Sequence, residues 1–148
     1  MNSQSPSRLY DQNTFYDAFL KDLRKAKSLV IIESPFITKK RMQQLLPTLR
    51  KLRDEGIRII VNTKPFNEHD VIYREQAIWA VGVMQDMGID VLLTCGHHRK
   101  LAIIDDILWE GSLNILSQND SCEIMRRIRS KDAVTDMLEF TNLRKWQK

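Results

Sequence analysis

Runs of consecutive apolar residues alternate with stretches of helical periodicity along this chain. Phe15, Phe19 and Leu23 fall on one face of a helix expected over 13–26. Residues 29–32 are a continuous apolar run ended by Ser34-Pro35, the pattern of a strand buried on both faces. Thr38 is placed to cap a helix over 38–53 that turns Met42, Leu45, Leu49 and Leu52 inward and stops at Gly56. Pro47 is expected to kink it. A second buried strand follows over 57–61, then a helix over 70–87 closed by Gly88, then a third buried strand over 89–93. Residues 98–104 and 107–111 read as two strands around a turn at Asp105-Asp106. A strand over 123–128 and a helix over 131–144 complete the order. Buried strands separated by helices predict an α/β fold, with a mixed, mostly parallel sheet flanked by helices on both faces.

Composition changes this picture little. The chain has 148 residues, 43% hydrophobic and 28% charged, as an ordinary globular domain does. Residues 1–8 are expected to be a flexible lead or linker, and 9–148 a single domain. No apolar run approaches membrane-spanning length, and the first residues lack the layout of a signal peptide. No membrane partner is therefore expected. Cys95 and Cys122 do not make a disulfide framework, which fits a reducing cytoplasm.

Candidate chemistry concentrates between His98 and Asn114. Along a strand His98 and Lys100 share a face, and a returning hairpin brings Ser112 and Asn114 toward them. A neutral imidazole is a good nucleophile toward phosphorus. Lys100 would supply positive charge to phosphoryl oxygens as negative charge builds, while Ser112 and Asn114 donate hydrogen bonds to the same oxygens. Glu123 is placed to accept from the other ring nitrogen of His98 and so fix its tautomer. Asp105 has the opposite parity to His98, so a structural part at the strand end is expected of it. A lone histidine, an H-x-K or a G-S-x-N string each recurs by chance; their order, spacing and following glutamate make the combination informative. His97 is out of register and reads as a loop residue. Cys95, His97, His98 and Cys122 lack a second closely spaced ligand pair, and a metal there would consume the nucleophile. No metal or other cofactor is expected.

The string His98-x-Lys100-x4-Asp105, followed by Gly111-Ser112-x-Asn114, resembles the H-x-K-x4-D…G-S-x-N signature of the phospholipase D superfamily. The resemblance extends to Glu123. It implies a phospholipase D-like fold and a catalytic set of His98, Lys100, Asp105, Ser112, Asn114 and Glu123, with Lys100, Ser112 and Asn114 on the substrate phosphate. It also implies a metal-independent mechanism with two histidines. One attacks phosphorus and becomes a phosphohistidine; the other protonates the leaving oxygen and then activates water. Larger members carry two motif copies. One copy here implies a homodimer with His98 of each subunit meeting near a two-fold axis. Small bacterial endonucleases of the superfamily are similar, as are nuclease domains attached to restriction enzymes or helicases.

Charge distribution bears on the substrate. Residues 21–53 hold ten Lys or Arg against only Asp22 and Glu33. Lys39-Lys40-Arg41 lies at an expected helix N-terminus, where the dipole disfavours each cation by ~0.3–1 kcal/mol. A polyanion would offset that cost. Arg126, Arg127 and Arg129 form a second cluster. The expected function is cleavage of nucleic acid, DNA favoured, by a cytoplasmic endonuclease that holds the backbone with Lys39, Lys40 and Arg41. Two other classes fit the same residues. One is a phospholipid hydrolase or phosphatidyl transferase. The other is a non-catalytic nucleic-acid-binding or dimerisation module of a larger protein.

Overall fold

In chain order the elements are β1 (Ser7–Asp11), α1 (Phe15–Arg24), β2 (Leu29–Glu33), α2 (Lys39–Asp54), β3 (Arg58–Thr63), α3 (Val71–Asp86), β4 (Asp90–Leu93), β5 (Leu101–Ile104), β6 (Ile107–Gly111), β7 (Ile124–Arg129) and α4 (Lys131–Phe140). They come from a computed structural model that describes residues 7–118 and 121–146. All seven strands join one sheet in the order β1-β7-β6-β5-β2-β3-β4.

The sheet is mixed, as expected, but its balance differs from the expectation. Only β2–β3 and β3–β4 pair in parallel; the other four pairings are antiparallel. Helical crossovers separate β2, β3 and β4, and a crossover is what a parallel pair needs. After β4 no long helix intervenes until α4, and the strands return on themselves. β1 was not expected. It takes in Ser7 and Arg8 from the stretch read as a lead, while residues 1–6 lie outside the described residues.

Helices cover the two faces unequally. Phe15, Phe19 and Leu23 of α1, Met42, Leu45, Leu49 and Leu52 of α2, and Ala80, Val81 and Met84 of α3 pack on one face around Val30, Ile32, Val61, Ala102 and Trp109. α4 alone, through Val134 and Leu138 with the partly buried Ala133 and Met137, and with Leu143 beyond it, covers Leu29, Ile31, Ile60, Leu101, Ile103 and Leu108 on the other. Among the described residues no helix is long and apolar enough to cross a membrane.

Local chemistry sets the element ends. The Thr38 hydroxyl accepts from the Arg41 amide at the start of α2, and Ser130 accepts from the Ala133 amide at the start of α4. Gly56 and Gly88 stop their helices at φ +83° and +89°, the left-handed region that glycine enters without a Cβ clash. α2 runs unbroken through Pro47. The proline removes the amide that would bond the Gln43 carbonyl, and Gln43 is exposed, so water can take that carbonyl.

Gly111 is required by a close approach. A Cβ built there would lie 2.0 Å from the Ile124 carbonyl oxygen. This lets β6 and β7 converge where the G-S-x-N string begins. We expect Gly111→Ala to destabilise the fold by ~1–3 kcal/mol through overpacking, read as a lower urea midpoint. An unchanged midpoint would mean that β7 moves aside without cost.

Candidate active site

The site is built at the end of β5 where the chain enters the sheet. Residues 97–100 are neither strand nor helix, so His98 and Lys100 sit just ahead of the strand that was expected to contain them. The Gly111 amide donates to the Lys100 carbonyl at 3.3 Å, which sets the end of β6 beside them. His98 is exposed and Lys100 half-buried. Both line a groove of about 500 Å³ with Arg99, Leu101, Glu110, Gly111, Ile124 and Arg126, and with the apolar side chains of Leu9, Met137 and Phe140. The larger cavity, about 720 Å³, opens elsewhere, around Asp105.

Ser112 is next to this groove, and β7 holds it. Its amide donates to the Ile124 carbonyl at 2.9 Å, and its hydroxyl accepts from the Ile124 amide at 3.0 Å. Asn114 is half-buried; its Oδ1 is buried and has no hydrogen-bond partner among the described residues. The loop from Ser112 is pinned to the start of α2. Leu116 and Gln118 amides donate to the hydroxyls of Ser34 and Thr38 at 3.1 and 3.0 Å. Glu123 directly precedes β7, and its amide donates to Gln12 Oε1 at 3.0 Å. Within the single chain no hydrogen bond joins Glu123 to His98 among the described residues.

Asp105 is elsewhere. It occupies the β5–β6 turn at φ 54°, beyond the far end of β5 from His98. Its carboxylate accepts from the amides of Lys27, Ser28 and Leu29 at 2.9–3.1 Å and from the Ser28 hydroxyl at 2.8 Å. Its place in the catalytic set is thereby corrected: four protein donors take its oxygens, and none is left facing the groove. The cationic triplet also disperses. The Lys39 ammonium lies over the Trp79 ring at 5.3 Å. The Arg41 guanidinium lies 3.8 Å from the Tyr16 ring centroid, half-buried. Burial holds Arg41 below its ordinary pKa, against the opposing pull of Tyr16. Lys40 remains exposed. Arg41 is therefore packed between α1 and α2 rather than presented with its neighbours.

Several residues near the site went unrecognised in the sequence. Glu33 is fully buried at the end of β2, and Arg99 grips it through Nε–Oε1 at 2.7 Å and Nη2–Oε2 at 3.0 Å. Hydrogen bonding to Glu33 raises the Arg99 pKa, more than burial lowers it. Asn62 Nδ2 donates to Glu33 Oε2 at 2.8 Å, and the Thr94 hydroxyl donates to Asn62 Oδ1 at 2.7 Å. The available signal was a carboxylate continuing an apolar run, together with an arginine of opposite parity to His98. His97 does lie in a loop but is only 4% exposed, which a surface loop residue would not be. Burial lowers its pKa, with Glu33 opposing.

Comparison with known proteins places this geometry in context. Residues 19–144 match the family model described as cardiolipin synthase, phospholipase D-like domain. The fold is similar to that of Nuc from Salmonella typhimurium, a phospholipase D family member, with a TM-score of 0.75, 16% identity, and coverage of 95% of this chain and 94% of that one. NucT from Helicobacter pylori gives 0.68 and 16%, covering 90% and 91%. The archaeal chromatin protein TrmBL2 gives 0.69 and 11%, covering all of this chain and 52% of its own. No curated protein sequence matches.

Asp105 yields a stability prediction. Burial raises its pKa, but its hydrogen bonds together outweigh burial and hold it below the ordinary value. A depressed carboxylate contributes stability above its unfolded pKa, about 3.9, and loses it as pH falls through the lower folded value. Asp105→Asn should cost ~1–3 kcal/mol at neutral pH and flatten the acid limb of the stability profile. An acid limb identical to that of the parent would remove Asp105 from this part.

Proposed function

Because the chain belongs to the phospholipase D-like domain family, we propose that it is a metal-independent phosphodiesterase cleaving nucleic acid, DNA favoured, through a phosphohistidine. The observation that carries the reading is the exposed His98 at a groove shared with Lys100 and Gly111, with Ser112 adjoining. In the proposed reaction the His98 imidazole attacks phosphorus, and the bond from phosphorus to the leaving oxygen breaks. That oxygen takes a proton from the His98 imidazolium of a second copy. Water then gives a proton to the second imidazole and attacks phosphorus, and the phosphorus–nitrogen bond breaks. Lys100 balances the charge on the phosphoryl oxygens. Its ammonium now donates to the His98 carbonyl at 2.9 Å, a neutral acceptor that a phosphate would outcompete. Ser112 and Asn114 are assigned to the same oxygens, and Glu123 to the His98 ring in the assembled dimer. The exposed Lys40 beside Lys39 supports a polyanionic substrate, as does the similarity to TrmBL2, described with a novel mode of DNA binding.

One observation favours a second reading. Leu9, Ile124 and Phe140 on the groove are 57%, 62% and 79% exposed. Such apolar edges suit a phospholipid as well as a base, so a phospholipid hydrolase is the alternative.

Labelled DNA should be cleaved in excess EDTA, and His98→Ala should abolish cleavage while leaving a folded protein. Activity that vanishes with chelator and returns with Mg²⁺ would refute the mechanism. Sedimentation should show a dimer, and an active monomer would refute the shared site. Lys39→Gln with Lys40→Gln should weaken DNA binding uniformly across sequences. It should also flatten the log–log salt dependence by ~0.7–0.9 for each phosphate that is no longer neutralised. An unchanged slope, with hydrolysis of phospholipid vesicles, would favour the alternative.

A further inference from the structure

His98 stands between two anchored neighbours. His97 is 4% exposed, and Arg99 is held by Glu33 through two hydrogen bonds, whereas the His98 side chain is in solvent. No regular element supports this stretch. The paired residues of β5 begin at Leu101, and the outermost backbone bond to the segment from β6 reaches only the Lys100 carbonyl. The sheet ladder therefore ends two residues short of His98. What extends past it is the side chain of Arg99.

We infer that the Glu33–Arg99 pair, backed by Asn62 and Thr94, is a positioning device that sets the orientation of His98 and Lys100. The inference rests on the phosphodiesterase reading above. A guanidinium bound through two parallel N–H···O bonds has its direction fixed as well as its distance. Glu33 pairs with Leu101 across β2–β5, so both point to one face of the sheet. Arg99 stands two residues ahead of Leu101, before the strand begins, and its side chain reaches back to Glu33 on that face.

The anchor itself is rigid. Glu33 has no solvent exposure and ends β2, an interior strand of the sheet. Its Oε2 is shared with Asn62 of β3; Asn62 Oδ1 accepts from Thr94 just after β4; and the Thr94 amide donates to the Thr63 carbonyl at 2.8 Å. The network thus spans all three parallel strands and ends at the residue between the proposed nucleophile and its lysine. Stability alone gives no reason for it. Only the glutamate end is buried, the Arg99 side chain being 41% exposed; a pair with a buried carboxylate is commonly no better than apolar residues of similar volume, and an apolar residue at position 33 would simply prolong the run from Leu29.

The test compares Glu33→Gln combined with Arg99→Met, which leaves no unpaired buried charge, with Arg99→Lys, which keeps the charge but loses the planar fork. Turnover of a small chromogenic aryl phosphodiester is measured with the melting profile and the amide NMR spectrum of residues 97–100. The double variant should melt cooperatively, with kcat down ~10²-fold and KM within about threefold, as misplacement of reacting groups predicts. Arg99→Lys should fall between it and the parent. A folded double variant with undiminished kcat overturns the inference. If the double variant does not fold, Arg99→Lys decides, and undiminished kcat there overturns it. If the parent itself shows no turnover, the phosphodiesterase reading fails, and the amide signals decide the clamp separately. Signals of 97–100 that broaden in the variants uphold it; an unchanged spectrum overturns it.

Discussion

The antiparallel seam between β2 and β5 is the contact on which the rest of the molecule depends. It joins the three parallel strands to the four strands that return on themselves. Its register, Val30 with Ile104 through Glu33 with Leu101, decides which face every β5 side chain takes. A slip of one residue would turn Leu101 and Ile103 away from α4 and carry Arg99 away from Glu33. Asp105 holds that register from the far end, because its carboxylate collects the amides of Lys27, Ser28 and Leu29 as β2 begins. The seam is thus fastened by a carboxylate at each end: Asp105 where β5 turns, and Glu33 where β5 is entered.

A third carboxylate follows the same logic. Asp22 on α1 accepts from the indole of the fully buried Trp109 at 2.9 Å and from Arg127 at 2.7 and 2.9 Å. An indole N–H sealed in an apolar core needs an acceptor, and an acceptor that is charged needs a partner. Trp109 is ringed by Tyr10, Phe15 and Phe19 at 4.9, 5.1 and 6.3 Å. Arg127 therefore belongs to the packing of α1 against the sheet, and the basic cluster after Glu123 divides between the core and solvent. Charge counted along the chain overstates what is open to a partner here, as it does at Arg41.

The sequence made the helices and the places of the three parallel strands legible because their signals are local, although β4, read as a buried strand, is an edge strand whose residues are half-buried or exposed. Phe15, Phe19 and Leu23, the Thr38 cap and the Gly56 and Gly88 stops each state their element within a few residues. The motif from His98 to Glu123 was legible as a string, and the structure brings His98, Lys100 and Gly111 of it to one groove. What escaped is non-local. β1 escaped because its five residues leave only Ser7 and Tyr10 partly buried, so no alternation marks it. The Glu33–Arg99 contact joins residues 66 apart. Neither residue is unusual until β2 and β5 lie side by side. Lys39 and Arg41 were legible as cations but not as partners of Trp79 and Tyr16, rings on two other helices.

β1 also belongs to the groove. It runs antiparallel to β7, with Asp11 opposite Ile124 and Ser7 opposite Ile128. Its Asp11 end lies beside Ile124, which lines the groove; its Ser7 end lies toward the β7–α4 junction. Ser7 keeps a hold on the groove all the same, because its hydroxyl accepts at 2.8 Å from the Arg126 guanidinium, which lines it. The strand that no alternation announced thus supplies part of the groove's wall through Leu9 and steadies its cationic rim through Ser7, so trimming the chain back to Asp11 would strip the groove of both.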